Sequence, residues 1–143
     1  MKKILLLVCV VIFMVPFLSG CGKPVIIRVG YDEFMEQKNV SRQIEIWPAY
    51  AITVFLYSNP STGFSWSESA DISDQSVVQQ YYHGFIAPKE SVPGAPGEER
   101  WQFKAIAKGT STIKMLYSRP GEDKPEWTFT LNVTVKPAFP ISN

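Results

Sequence analysis

Trp127-Thr128-Phe129-Thr130-Leu131-Asn132-Val133-Thr134-Val135 alternates apolar and polar side chains without a break. That is the period of a strand with one face buried and the other wet. Most of its residues are β-branched or aromatic, types that suit a pleated, half-buried surface. The same period recurs upstream. Thr110 to Ser118 places Ile113, Met115 and Tyr117 on one face, and Arg100 to Ala107 sets Trp101, Phe103 and Ala105 against Gln102 and Lys104. In Tyr50 to Tyr57, Ile52, Val54 and Leu56 face one way and Thr53, Phe55 and Tyr57 the other. Shorter candidates are Val25 to Val29, Gln43 to Trp47, Phe64 to Ser67, and Val77 to Tyr82, which leads into His83-Gly84. Asp71 to Asp74 reads as a turn, and Asp32 to Gln37 allows a short helical turn. Ala87 to Gly97 holds three prolines and two glycines and reads as a long loop. Seven or eight short strands at regular spacing, with little helix, predict an all-β sandwich.

The N-terminus is expected to stand apart from that domain. Met1-Lys2-Lys3 is a basic start, and Ile4 to Phe17 is an almost unbroken apolar run. The run is short of the ~20 residues of a membrane span, and Leu18-Ser19-Gly20 supplies the small residues of a cleavage site. Cys21 directly after them resembles the cysteine of a bacterial lipobox, whose thiol is diacylated and becomes the new N-terminus. Residues 1–20 therefore read as a lipoprotein signal peptide cleaved before Cys21. The implied localisation is extracytoplasmic, lipid-anchored to the cell membrane or the outer membrane. An uncleaved signal-anchor is the alternative. Residues 21–42 then read as a tether and N-terminal strand region, 43–136 as the β-sandwich domain, and 137–143 as a C-terminal tail.

Composition removes several function classes. The chain has two cysteines, and Cys9 would leave with the signal while Cys21 carries the lipid. The remaining domain has no thiol for a disulfide, a nucleophile or a cysteine metal site. Lys2 and Lys3 are two of the 14 basic residues, so cleavage leaves 12 against 13 acidic ones. Such a balance gives no footprint for nucleic acid. His83 is the sole histidine and no Gly-x-Ser-x-Gly elbow occurs, which argues against a hydrolytic triad. His83 reads as a strand-end surface residue. The carboxylate pairs Glu98-Glu99 and Glu122-Asp123 read as solvated loop residues. The predicted protein is a monomer, without enzymatic activity, cofactor or metal.

Between two strand candidates lies Asn59-Pro60-Ser61-Thr62-Gly63-Phe64. Pro60 fixes φ near −65° and so reduces the entropy lost when the loop docks. Asn59 can hold the turn through a side-chain to backbone bond. Gly63 permits positive φ and close backbone approach. Ser61 and Thr62 are small and carry hydroxyls. A plain hairpin turn accounts for these residues taken alone. Two further turn segments, Gly94-Ala95-Pro96-Gly97 and Arg119-Pro120-Gly121, make a set with it.

Together these segments resemble the chagasin family, Ig-like inhibitors of papain-like cysteine peptidases. Asn59-Pro60-Ser61-Thr62-Gly63-Phe64-Ser65-Trp66 is similar to the family's Asn-Pro-Thr-Thr-Gly-aromatic-x-Trp motif. Gly94 to Gly97, followed by Trp101-Gln102-Phe103, is similar to its glycine-rich loop before an aromatic-x-Phe strand. Tyr117-Ser118-Arg119-Pro120 matches the start of Tyr-x-Arg-Pro-Trp, but Gly121 stands in place of the Trp. The resemblance runs from about Ile44 to Val135. It implies a three-loop wedge: Asn59–Phe64 in the catalytic cleft of a papain-like peptidase with Thr62 nearest the catalytic residues, Gly94–Gly97 on the non-primed side, and Arg119, Pro120 and Gly121 on the primed side. Trp127 either swings in for the missing Trp or opens the last strand and packs in the core. Trp66, Trp101 and Phe103 read as core. The alternative function, kept open by Gly121, is a cell-envelope Ig-like binding module that has lost inhibition.

Overall fold

The computed structural model describes residues 23–138 apart from Ser91. The signal segment, Cys21 and the end of the tail lie outside the described residues. Among those described, nine strands form two sheets. The strands are β1 (Val25–Val29), β2 (Asn39–Ile46), β3 (Ala51–Ser58), β4 (Ser65–Trp66), β5 (Asp71–Ile72), β6 (Val78–Ile86), β7 (Gly97–Ala105), β8 (Gly109–Ser118) and β9 (Trp127–Val135), with one helix, α1 (Tyr31–Glu36), between β1 and β2. One sheet has the order β1-β3-β7-β6 and the other β2-β9-β8-β4, with β5 also paired to β8. The molecule is the all-β sandwich that the alternation predicts, an Ig-like β-sandwich as the resemblance implies.

The core follows the period-two pattern. Ile52, Val54 and Leu56 of β3 meet Phe129, Leu131, Val133 and Val135 of β9 in one buried cluster that also takes in Trp66, Trp101 and Phe103. Trp127 is buried as well and opens β9, so it packs in the core and does not swing into the place left by the missing Trp. At ~25 cal/mol per Å² of apolar area removed from water, these large side chains are the main cohesive term. The domain does so with no cysteine anywhere after Cys21.

Two of the chain's edges run parallel to their neighbours. β1 pairs with β3 from Val25↔Ile52 to Val29↔Leu56, and β2 pairs with β9 from Asn39↔Thr128 to Ile46↔Val135. β1 therefore runs toward the end of the sandwich where β3 finishes, and β2 starts from that end. α1 connects them across it. Its Phe34 is fully buried, 5.1 Å from Trp127 in a stacked arrangement and 5.3 Å from Trp66.

Four expectations about the strands and their residues are corrected. Asp71-Ile72 is not a turn but a short strand, because Ile72 finds Ile113 opposite it and Ser73 N–H continues the pairing to the Thr112 carbonyl at 2.9 Å. β6 does not end near Tyr82 but runs to Ile86 through a bulge between Gln80 and Tyr82. The inserted residue shifts the alternation and leaves His83 turned toward Trp101, 4.8 Å between ring centroids. His83 is thus a mid-strand, part-buried residue rather than a surface one at a strand end. Glu99 likewise is no loop residue. It lies buried within β7, accepting from Ser58 Oγ at 2.7 Å and facing His83 Nε2 at 2.7 Å. A carboxylate in such a place is tolerated because both its oxygens are partnered.

Candidate functional site

Three connections leave the sandwich at the end capped by α1. The strand register puts them there: Ser58 at the end of β3 lies opposite Gly97 at the start of β7, and Tyr117 near the end of β8 lies opposite Trp127 at the start of β9. The connections are the β3–β4 loop around Asn59–Phe64, the β6–β7 loop ending at Pro96, and the β8–β9 loop beginning at Arg119.

The first loop is closed by its own hydrogen bonds. Asn59 Oδ1 accepts from the Ser61 backbone at 3.2 Å and from Ser61 Oγ at 2.6 Å. The Asn59 carbonyl accepts from the Thr62 N–H at 3.1 Å and from Thr62 Oγ1 at 2.7 Å. Pro60–Thr62 form one 3-10 turn, and Gly63 ends it at φ 81°, in the left-handed region. A side chain at Gly63 would be strained there. Its N–H donates to the Pro60 carbonyl at 3.1 Å. Pro60, Ser61 and Thr62 are exposed and form the tip.

The other two loops hold this tip from either side. Gly94, at φ 78°, offers its carbonyl to Asn59 Nδ2 at 3.4 Å and to Ser61 Oγ at 3.5 Å, both long bonds. Opposite, Arg119 Nε donates to the Thr62 carbonyl at 3.3 Å, and its guanidinium lies 4.2 Å over the Phe64 ring. The carbonyl oxygens of Asn59, Pro60 and Thr62 are therefore all engaged inside the cluster.

Beneath the loops lies an aromatic stack. Phe64 stacks on Tyr117 at 5.4 Å, and Tyr117 on Trp127 at 4.8 Å. Tyr117 Oη accepts the Asn59 N–H at 3.1 Å, and Trp66 Nε1 donates to the Tyr57 carbonyl at 2.8 Å. Burial pushes the phenol of Tyr57 above its ordinary pKa. This floor ties the tip to the core, so the loop is a rigid projection.

Asn59, Ser61, Thr62, Phe64, Gly94 and Arg119 are thus brought together. Pro60 adds stiffness without a partner across the cluster. Ala95 closes a turn by donating to the Val92 carbonyl at 3.0 Å, and Pro96 is exposed. Gly97 is not in the loop but is the first residue of β7, where a Cβ would come 2.3 Å from the Ile86 carbonyl oxygen. Pro120 and Gly121 are exposed, and a Cβ on Gly121, at φ 84°, would meet nothing within 4 Å. The sequence reading missed the role of Tyr117 as anchor of the first loop. Its signal was its place two residues before Arg119. No group of three or more His, Cys, Asp or Glu among the described residues is placed to hold a metal ion.

The chain is similar to several known proteins. The family described as Chagasin family peptidase inhibitor I42 matches residues 49–135. Amoebiasin-2 of Entamoeba histolytica is 33% identical over 87 residues, spanning 59% of this chain and 70% of that protein. Among solved structures, the cysteine protease inhibitor EhICP2 from Entamoeba histolytica superposes with a TM-score of 0.59 at 24% identity, over 80% of this chain and 99% of that one. The solution structure of Amebosin does so with a TM-score of 0.54 at 22% identity, over 80% and 100%. These two share the sandwich fold.

Proposed function

The chain belongs to the family described as Chagasin family peptidase inhibitor I42, a family of inhibitors and not of enzymes, and from that premise we propose that it reversibly inhibits papain-like cysteine peptidases by filling the active-site cleft. The observation that carries this reading is the clamped loop: Asn59–Phe64 is closed on itself and gripped by Gly94 and Arg119 before any partner arrives. Preorganisation of this kind reduces the entropy lost on docking.

The loop's chemistry suits a cysteine peptidase. Thr62 is small, exposed and central in the cluster, so it reaches nearest the catalytic cysteine and histidine. Its hydroxyl proton is committed to the Asn59 carbonyl, which leaves oxygen lone pairs facing outward as acceptors for a protonated imidazole. An attacking thiolate needs a carbonyl whose oxygen can enter an oxyanion hole. The carbonyls of Asn59, Pro60 and Thr62 are bonded within the cluster, which hinders attack at these three peptide bonds. Gly94, Ala95 and Pro96 would lie along the non-primed wall, and Arg119 with Pro120 along the primed one.

The lipobox-like Leu18-Ser19-Gly20-Cys21 supports an extracytoplasmic, lipid-anchored location through Cys21. Strand direction is consistent with such an anchor. Val25 starts β1 at the end opposite the three loops, so a lipid a few residues earlier would leave the loops facing away from the membrane. Bare Gly121 favours the second reading, an Ig-like binding module of the cell envelope without inhibitory activity.

The test is Thr62→Trp in the full chain purified in mild detergent, assayed against papain. Thr62 is exposed and the variant loses only its hydroxyl bond to the Asn59 carbonyl, so melting should fall by no more than a few degrees, while the inhibition constant should rise by about 100-fold or more. Unchanged inhibition by this variant would overturn the cleft-filling mechanism.

A further inference from the structure

α1 stands at the loop end, although it contributes to none of the three motifs. Phe34 pins it by its stack on Trp127. Its free side presents Met35, 60% exposed, and Tyr31, 45% exposed, two large apolar residues that an isolated surface would not need side by side. Tyr31 is held at 5.0 Å from Tyr57 and 6.1 Å from Trp127. Tyr31 and Met35 line one open groove, of about 290 Å³, with Thr62, Phe64, Arg119 and Trp127. The charged groups at its edge are already partnered: Arg119 with the Thr62 carbonyl and Glu122, and Glu126 with Lys38 at 2.8 Å. The groove's lining is mainly aromatic, with Met35 beside it, and it is continuous with the loop tip.

We propose that α1 is a fourth contact element, and that the groove between Met35, Tyr31 and Phe64 receives one apolar or aromatic side chain from the rim of the peptidase cleft on the Arg119 side. The proposal rests on the inhibitor reading above. Geometry links the two, because Thr62 lines both the tip and the groove, so a cleft wall that surrounds Thr62 also covers Met35. Met suits the role, since its flexible, polarisable side chain adapts to the shape it meets.

The test compares Met35→Glu, Met35→Leu and Ile106→Glu in the full chain, in mild detergent, titrated against papain. Ile106 is also exposed, just beyond the far end of β7. Met35→Glu should weaken inhibition by about tenfold with unchanged melting, while Met35→Leu and Ile106→Glu stay within about threefold of wild type. A wild type that inhibits and a Met35→Glu variant within about twofold of it would overturn this contact alone. A folded wild type that does not inhibit would overturn both this contact and the inhibitor reading on which it rests.

Discussion

The guanidinium of Arg119 lies 4.2 Å above the ring of Phe64, and the same side chain donates to the Thr62 carbonyl at 3.3 Å. One residue of the third loop thereby fixes both the backbone and the base of the first. Phe64 is in turn stacked on Tyr117, so the contact continues into the core. The first and third loops are joined by this pair, and such joining is a property a cleft-filling inhibitor needs.

Arg119→Ala should weaken inhibition of a papain-like peptidase by about tenfold, the range for a central Arg anchor. The cation–π contact is exposed and worth about 0.5–1 kcal/mol, so melting should fall by only a few degrees. Arg119→Lys should recover little, since it lacks both the planar face and the Nε donor. Inhibition constants and thermal melts of the three proteins check this.

Tyr117→Phe removes the acceptor of the Asn59 N–H and leaves the stack intact. An unpaired, part-buried donor costs about 1–3 kcal/mol. The expected outcome is a lower melting temperature and faster amide exchange at Asn59 to Gly63, measured by hydrogen exchange, with a weaker inhibition constant.

Asp74 carries an acid-side signature. The Ser76 hydroxyl, then the Ser76 backbone N–H, bond its carboxylate and hold its pKa below the ordinary 3.8. A carboxylate lowered on folding contributes stability that is present above the unfolded value and is lost as pH falls through the folded one. The gap in melting temperature between wild type and Asp74→Ala should therefore be full above pH 3.8 and shrink below it.

The glycines at two loop ends should behave differently. Gly97→Ala forces a Cβ to 2.3 Å from the Ile86 carbonyl oxygen and 2.6 Å from the Phe85 ring, an overpacking cost of about 1–3 kcal/mol. Gly121→Ala meets open space but sits at φ 84°, a backbone cost of about 1–2 kcal/mol. Gly97→Ala should melt lower than Gly121→Ala, and inhibition by Gly121→Ala should be close to wild type.

Much of this molecule was legible where its physics is local. β9 and β1 fall at the predicted residues because the alternation of Trp127–Val135 and the β-branched run at Val25–Val29 need no distant partner to be read. The Asn59 turn was readable for the same reason, since an Asn, a Pro and a Gly each act on their own backbone. What stayed hidden depends on residues far apart in the chain. Glu99 looked like surface because Ser58 and His83, which satisfy it, come from β3 and β6. The bulge at Tyr81 that turns His83 inward has no signature in a run of polar and aromatic residues. The groove beside α1 exists only because parallel pairing brings the ends of β1 and β3 together.

The most direct measurement is a titration of the folded wild-type chain against papain, with the mixture followed over hours. Nanomolar inhibition that persists, from a chain that stays uncleaved, is the result this account expects. Absence of inhibition at micromolar concentration, or steady cleavage between Asn59 and Phe64, would contradict it.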